Sequence, residues 1–501
     1  MTYPRSSGIL LHPTSLPGPF GIGDLGEFAY DFVDFLSATG QKLWQVMPLG
    51  PTGYGDSPYA CLSAFAGNPL LISPEKLIED GFLAANDPAL AEYPRLSEDK
   101  VEFEAVGEAK EKLFRAAFAH FQQHAKEAER KRFANFCDCQ QNRNWLHNYA
   151  LFRAVKKEFD NESWTKWNPE LAQRHPEALA HANHALAEEI AYHKFLQYVF
   201  SKQWGALRNY ARLNGIQIVG DMPIFLAHDS ADVWAHQELF HLLPDGTPRV
   251  VAGVPPDYFS ETGQLWGNPL YNWEVMAKDD YSWWAERFKV MLNSVDIVRL
   301  DHFRGFEAYW EVPGGEETAM NGQWVKGPDK AFFSAMEKAL GHLPFIAEDL
   351  GVITPPVEDL RDSFDFPGMK VLQFAFDDTS ANNFLPHKHV ANAVVYTGTH
   401  DNQTTVSWFE SRSETVQKFV LDYLGSTDAA YIHWQMIRLA MSSVANTVLI
   451  PMQDILGLDD EVGRMNTPGK AEGNWSWRFK DSEINAQIAH SLKHWTELYE
   501  R

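Results

Sequence analysis

Short apolar runs that end in polar or charged residues recur along the chain. The eight clearest runs are 8–12, 43–49, 216–223, 295–302, 345–351, 369–376, 394–401 and 448–454. Near-continuous apolar runs are typical of parallel strands buried on both faces, and helical sequence separates most of these runs. The pattern therefore predicts an α/β fold, a (β/α)8 barrel.

Two connections between these runs are too long for a single crossover helix. Residues 70–205 predict a mostly helical inserted subdomain, because apolar residues recur there at helical spacing, as at Phe114, Ala117, Phe118 and Phe121. Residues 225–284 are rich in Pro, Gly and aromatic residues and predict a second, irregular insertion. We expect residues 1–501 to form one elaborated barrel without a C-terminal β-sandwich domain.

Composition and charge exclude several classes of protein. Hydrophobic residues make up 45% of the 501 residues and charged residues 22%, which excludes wholesale disorder. No apolar run approaches the ~18 residues of a membrane span, and the N-terminus lacks a signal-peptide pattern, so we expect no membrane partner. A net charge of −24 predicts no nucleic-acid partner. Cys61, Cys137 and Cys139, an odd number in a long chain, indicate a reducing compartment.

Polar residues that end the later runs are the candidates for chemistry, because barrel active sites form at the carboxyl ends of the strands. Arg299 and Asp301 lie two positions apart on one strand, so their side chains point the same way. Glu348 ends the next run, and His400 and Asp401 end a later one. We expect the three acids to converge at one mouth of the barrel.

Paired carboxylates of this kind can cleave a glycosidic bond, one as nucleophile and the other as acid. Arg299 favours the ionised form of Asp301, and burial together with neighbouring carboxylates keeps a proton on Glu348. The next residue, Asp349, should face the opposite side of the strand. Asp401 with His400 could grip sugar hydroxyls. Taken singly, each group could equally be a structural ion pair, a helix cap or a supporting pair; their combination is far more specific.

Several sequence blocks resemble one family. RLDHFRGFEAYW, AEDLGVITP and TGTHDN resemble the nucleophile, acid and transition-state regions of the amylomaltases, the 4-α-glucanotransferases of the α-amylase superfamily. The resemblance extends from SSGILLHPTSLPGPFGIGDLG to RMNTPGKAEGNWSWR and is weakest in the helical insertion. It implies that Asp301 is the nucleophile, Glu348 the general acid/base and Asp401 the transition-state stabiliser, supported by Arg299 and His400.

The resemblance also implies further substrate-binding residues and a substrate class. Residues 253–269 resemble a loop that folds over the glucan as a lid. With Arg299 and His400, the implied substrate-binding residues are Ser57, Tyr59, Asp221, Gln264, Trp266, Asp378 and Asn466. Expected donors are maltooligosaccharides, amylose or other α-1,4-glucans, and expected acceptors are glucose or maltooligosaccharides. No cofactor and no metal are implied, because Asp221 lacks the Asn and His that accompany calcium in typical α-amylases. A cytoplasmic location is expected.

The resulting hypothesis is a retaining transfer of α-1,4-glucan segments through a covalent glucosyl-enzyme, with intramolecular attack giving cyclic products. Three alternatives remain open on the sequence. The first is an α-glucan hydrolase that uses the same residues. The second is a metal-dependent barrel hydrolase that uses His12, His400 and Asp401. The third is a glucan-binding protein without catalysis, which would be expected to have lost one of the three acids.

Overall fold

The computed structural model describes residues 4–256, 260–376 and 382–501. Within these ranges the chain forms two β-sheets. The strands are β1 (Ser6–Leu10), β2 (Leu43–Gln45), β3 (Gln217–Pro223), β4 (Val250–Val254), β5 (Gln264–Pro269), β6 (Ile297–Asp301), β7 (Ala308–Pro313), β8 (Gln323–Lys326), β9 (Phe345–Ala347), β10 (Gly368–Val371), β11 (Ala393–Tyr396) and β12 (Thr447–Pro451).

Eight of the strands close into a parallel barrel in the order β1-β12-β11-β10-β9-β6-β3-β2. Each apolar run identified in the sequence overlaps one of these strands, so the predicted barrel is confirmed. A cluster of apolar side chains fills the barrel interior and consists of Leu43, Val219, Ile297, Ile346, Met369, Val371, Val394, Tyr396 and Leu449. Strand residues of the other parity pack against the surrounding helices, which explains why the runs are continuously apolar.

Helices cover the outside of the barrel. In chain order they are α1 (Glu27–Ala38), α2 (Pro74–Glu79), α3 (Pro88–Ala91), α4 (Phe103–His124), α5 (Glu127–Asp138), α6 (Leu146–Glu158), α7 (Pro169–Ala172), α8 (Pro176–Ala185), α9 (Ala187–Leu213), α10 (Ala231–Ala235), α11 (Trp273–Ala277), α12 (Ser282–Ser294), α13 (Asp329–Leu340), α14 (Pro355–Ser363), α15 (Thr405–Glu410), α16 (Glu414–Leu424), α17 (Ile432–Ser442), α18 (Met452–Leu456), α19 (Asp460–Gly463) and α20 (Ala486–Leu498). None of the helices in the described residues combines the length and apolar character that a membrane crossing requires.

The connection between β2 and β3 is built from helices α2 to α9. The apolar stripe predicted in this region is buried: Phe114, Ala117, Phe118 and Phe121 lie on the inner face of α4. Helix α9 continues past residue 205 to Leu213 and leads directly into β3, so it also serves as the barrel's crossover helix. The division of the chain into a barrel and inserted subdomains stays a prediction.

A second sheet stands beside the barrel mouth. Its four antiparallel strands follow the order β5-β4-β7-β8. Strands β4 and β5 come from the segment 225–284, whereas β7 and β8 follow barrel strand β6. The sequence pattern did not predict this sheet. The expected lid, 253–269, is part of the β4–β5 hairpin, and residues 257–259 of it lie outside the described residues.

Candidate active site

Arg299 joins the ends of two barrel strands. Asp221 on β3 and Arg299 on β6 are paired in register, so their side chains project together into the barrel mouth. The Arg299 Nη1 group donates to both carboxylate oxygens of Asp221, at 2.8 and 2.7 Å, and to Asp301 Oδ1 at 2.9 Å. Because Arg299 is only 4% exposed, this ion-pair network has little freedom to rearrange.

Glu348 follows β9 and is held by backbone N–H groups. The N–H of His302 donates to Glu348 Oε2 at 2.6 Å, and that of Leu350 donates to Oε1 at 3.0 Å. His302 has a left-handed backbone with φ of 51°, which is uncommon for a residue with a side chain. Since His302 directly follows Asp301, this turn places the two carboxylates at neighbouring positions of the same mouth.

Glu348 and Asp349 face opposite sides of the chain, as predicted. Asp349 is buried, accepts a hydrogen bond from the Met369 N–H at 2.7 Å and pairs with Arg361 of α14. It therefore ties a strand end to the outer helices. Only Glu348 of this acidic pair turns toward Asp301.

Asp401 lies across the mouth and is the most exposed of the three acids, with 46% of its side chain accessible. Its carboxylate contacts His400 Nε2 at 3.2 Å and accepts from Asn466 Nδ2 at 2.6 Å. Tyr59 lies on the same side of the mouth, next to His400. Its ring stacks on His400 at 5.0 Å between centroids, and its hydroxyl donates to Asp221 Oδ2 at 2.9 Å.

Burial shifts the pKa values of Asp301 and Glu348 by different amounts. Burial raises the pKa of Glu348 to about 8; Arg299 opposes this shift and Asp301 adds to it. Burial also raises the pKa of Asp301, to about 6, against the opposing charge of Arg299. Burial therefore favours the protonated form of Glu348 more strongly than that of Asp301, which Arg299 contacts directly.

The third acid stays ionised. Desolvation in the mouth raises the pKa of Asp401, but His400, Asn466 and Arg299 outweigh this effect and lower it to about 2. Burial lowers the pKa of His400, yet the adjacent carboxylate of Asp401 raises it above its usual value overall. The three candidate acids therefore differ in the form that their surroundings favour, and Asp401 favours the charged form of His400.

Trp266 of the β4–β5 hairpin reaches the mouth. Its ring meets the His302 ring edge to face at 4.7 Å, and 38% of its surface is exposed. The Gln264 side chain accepts a hydrogen bond from Trp266 Nε1 at 3.1 Å. The two predicted hairpin residues thus lie together beside the residue that follows Asp301.

Ser57 and Asp378 are the two remaining residues that were predicted to bind substrate. Ser57 Oγ accepts a hydrogen bond from the Tyr59 N–H at 3.2 Å, so it shapes the turn that presents the Tyr59 ring. Asp378 lies outside the described residues. The predicted residues that the structure brings together are Tyr59, Asp221, Gln264, Trp266, Arg299, Asp301, Glu348, His400, Asp401 and Asn466.

Sequence reasoning missed two contributors to this site. One is the backbone N–H of His302, whose orientation no local pattern indicates. The other is Trp475, whose ring lies 5.9 Å from that of His400 and 5.7 Å from that of Tyr59. Its only sequence signal was its place in the GNWSWR block, nine residues beyond Asn466.

The site does not present a ready-made metal centre. Across 4–256, 260–376 and 382–501, no three His, Cys, Asp or Glu side chains gather in a way that could hold a metal ion. Of the residues in the metal-dependent alternative, His12 is 5% exposed and burial lowers its pKa to about 3, whereas His400 is engaged with Asp401. The arrangement is instead that of an acid facing a carboxylate, which suits nucleophilic displacement at a sugar carbon.

Comparison with known proteins decides the family. The family model described as 4-alpha-glucanotransferase matches residues 11–484. The chain belongs to the 4-alpha-glucanotransferase family. This confirms the resemblance seen in the sequence, and the reaction is 4-α-glucan transfer.

Two curated relatives and one solved structure align with the chain over nearly their whole lengths. The chain is 52% identical over 500 residues to the 4-alpha-glucanotransferase of Synechocystis sp., covering 99% of this chain and 98% of the relative. It is 48% identical over 508 residues to that of Thermus thermophilus, with 100% of both covered. The solved amylomaltase from Streptococcus agalactiae, in complex with acarbose, superposes with a TM-score of 0.95 at 39% identity and 99% coverage of each chain.

Proposed function

We propose that Asp301 is the nucleophile, Glu348 the general acid/base and Asp401 the transition-state stabiliser of a retaining glucan transfer. The observation that carries this proposal is the different surroundings of the two carboxyls: Arg299 donates to Asp301 at 2.9 Å, whereas backbone N–H groups hold Glu348. Burial raises the pKa of Glu348 to about 8 and that of Asp301 only to about 6, so a neutral acid faces an ionised carboxylate. This is the starting state that the first step of a double displacement requires.

In the first step, Glu348 donates its proton to the glycosidic oxygen while an Asp301 oxygen attacks the anomeric carbon. The C1–O bond of the donor breaks, and the shortened glucan leaves with the proton. Asp301 becomes a neutral glucosyl ester. Because the charge of Asp301 was raising the pKa of Glu348, its loss lowers that pKa, and Glu348 becomes a base.

In the second step, Glu348 takes the proton of the acceptor's 4-hydroxyl. The hydroxyl oxygen attacks C1 and the ester bond to Asp301 breaks, which restores the starting carboxyls. Two inversions give net retention. Attack by the far end of the same glucan gives a cyclic product by the same steps.

The remaining polar residues serve the substrate in two ways. Asp221 and Arg299 are 1% and 4% exposed, so we assign them to holding Tyr59 and Asp301 in place. The other proposed substrate-binding residues are Ser57, Tyr59, Gln264, Trp266, Asp378, His400 and Asn466. Asp401 is ionised and accessible, which suits hydrogen bonds to sugar hydroxyls that tighten in the transition state.

We propose maltooligosaccharides, amylose and related α-1,4-glucans as donors, and glucose or a maltooligosaccharide as acceptor. Acarbose, present in the complex of the Streptococcus agalactiae amylomaltase, is the ligand we would test in competition with them. We also propose that the enzyme works in the cytoplasm, an assignment supported by free thiols at Cys61, Cys137 and Cys139.

The test is incubation of the purified protein with maltotriose alone, followed by resolution of the products and assay of glucose and total reducing ends. Glucose release with longer maltooligosaccharides and constant reducing ends supports transfer between these substrates. Rising reducing ends with only shorter products would contradict the proposed preference for a sugar acceptor over water. Unchanged maltotriose would contradict the proposed donor class.

A further inference from the structure

Trp475 has an unusual backbone for its size. Its φ is 64°, in the left-handed region that favours glycine and disfavours bulky side chains. The residue is nevertheless ordered in the fold: it is 7% exposed, and its N–H donates to the Met465 carbonyl at 2.7 Å. Strained backbone of this kind persists only where the surroundings enforce it, and it concentrates at functional sites.

The strain brings the Trp475 ring to the catalytic mouth. Its centroid lies 5.9 Å from that of His400 and 5.7 Å from that of Tyr59, while Tyr59 and His400 stack at 5.0 Å. The three rings form one cluster. The His400 ring is therefore held by two aromatic neighbours, and its Nε2 is left directed at Asp401.

Trp475 ends a segment that contacts Asp401 at several points. We call residues 464–475 the support loop. Arg464 Nη2 donates to the Asp401 carbonyl at 3.0 Å, and Asn466 Nδ2 donates to its carboxylate at 2.6 Å. The Trp475 ring adds a third contact through His400. The support loop thus holds the backbone, the carboxylate and the histidine partner of one acid.

The end of the support loop is anchored on the residues that precede helix α4. Lys100 and Trp477 form an antiparallel bridge. The Val101 N–H donates to the Ser476 carbonyl at 2.7 Å, and the Arg478 N–H donates to the Asp99 carbonyl at 3.0 Å. These backbone bonds fix the chain direction immediately after Trp475, so the start of the helical region contributes to the position of its ring.

We propose that Trp475 is a positioning residue for glucan transfer, holding His400 and, through it, Asp401 in the productive orientation. This inference rests on the proposed role of Asp401. The Asp401 side chain is 46% exposed, so its orientation depends on its hydrogen-bond partners more than on close packing. Its contacts are expected to strengthen in the transition state, and misplacement should therefore lower kcat more than it raises KM.

The experiment compares W475G and W475F with W477A. Glycine accepts the left-handed backbone, so W475G removes the ring and relieves the strain together. Trp477 is the control because it is 3% exposed, lies two residues beyond the support loop and stacks its ring on Phe479 at 6.1 Å, whereas its bridge to Lys100 uses only backbone groups, which W477A keeps. Kinetics with maltotriose and the thermal midpoint are measured for each variant. If W475G fails to fold, W475L replaces it, since leucine keeps apolar bulk without a flat ring.

We expect W475G to lower kcat by up to about 100-fold with KM little changed, the size of effect that small misplacements produce. W475F should recover most of kcat because it retains a flat ring. W477A should lower the thermal midpoint while kcat stays near the wild-type value. Equal losses of kcat in W475G and W477A, a change confined to KM, or a W475F no better than W475G would overturn the proposal.

Parallel assay of D401N separates this inference from the function on which it rests. Wild-type kcat in D401N would remove the proposed role of Asp401 and the inference with it. An inactive D401N beside a W475G variant with wild-type kcat would overturn only the role of Trp475.

Discussion

Glu348 and Asp301 should control the pH dependence of the reaction. Glu348 must be protonated to act as the acid, and burial raises its pKa to about 8, so activity falls as the pH rises through that value. Asp301 must be ionised, and burial raises its pKa to about 6, so activity falls as the pH drops through that value. We expect a bell-shaped profile of kcat/KM for maltotriose between these limits.

An R299Q variant tests what sets the two pH limits of this bell-shaped profile, its acid limb at low pH and its basic limb at high pH. The positive charge of Arg299 lowers the pKa of Asp301 and of Glu348, so its removal should move both limbs to higher pH. If the low-pH limit of kcat/KM, which is assigned to Asp301, is the same in R299Q as in the wild type, this explanation is contradicted.

Glu348 and its neighbour Asp349 provide a matched pair of variants. E348Q keeps the shape of the side chain but has no proton to transfer, so kcat should fall about 10²- to 10⁴-fold while the protein stays folded. D349N weakens the buried pair with Arg361 and should lower the thermal midpoint more than kcat. Similar kcat losses in both variants would argue against a specific acid/base role for Glu348.

Losses of kcat should also follow removal of the other two carboxylates. D301N and D401N are both expected to reduce turnover by several orders of magnitude, the first because it removes the nucleophile and the second because it removes transition-state contacts. Circular dichroism establishes that each variant is folded. Near-normal turnover in either variant would take that residue out of the mechanism.

Among the elements, the β4–β5 hairpin is the one expected to meet long substrates. Trp266 is partly exposed and lies against His302 beside Asp301. We expect W266A to reduce kcat/KM for long maltooligosaccharides more than for maltotriose, because a stacking surface for additional sugar rings is lost. W324A is the control: Trp324 is 42% exposed but lies on β8, at the other edge of the same sheet. An equal effect of W266A on both lengths would indicate a structural role.

The sequence predicted the barrel strands but not the strands of the second sheet. The barrel strands were predictable because each is a continuous apolar run, as in β12, where every residue is buried. Strands β5 and β8 are mostly exposed or half-buried and show no clear apolar alternation. Their sheet also depends on pairing between β4 and β7, which are far apart in the sequence. Local patterns carry no information about such pairing.

At the scale of the whole molecule, a buried ion pair joins the helical region to the barrel. Lys110 of α4 is fully buried and contacts Asp24, which lies between β1 and α1, at 3.4 Å. The same ammonium donates to the Leu70 and Ile72 carbonyls at 2.8 and 2.9 Å. Burial lowers the pKa of Lys110 and raises that of Asp24, so each group depends on the other for its charge.

We expect K110M to lower the free energy of unfolding by about 3 kcal/mol, because it leaves the Asp24 carboxyl buried without its partner. The double variant D24N/K110M should be more stable than K110M, since no charged group is then stranded. Urea unfolding of the single and double variants measures this coupling. Simple additivity of the two single changes would show that the pair is not coupled.

The sequence by itself determined the barrel, the strand ends that carry Asp301, Glu348 and Asp401, and the family, because these depend on local apolar runs and short motifs. Only the tertiary structure supplied the contacts around this pair, because Arg299 donates to Asp301 and the backbone N–H groups of His302 and Leu350 hold Glu348 once the chain is folded. It likewise placed Trp475 beside His400. Such relations join residues that are distant along the chain, and they arise only when the barrel closes and removes their side chains from water.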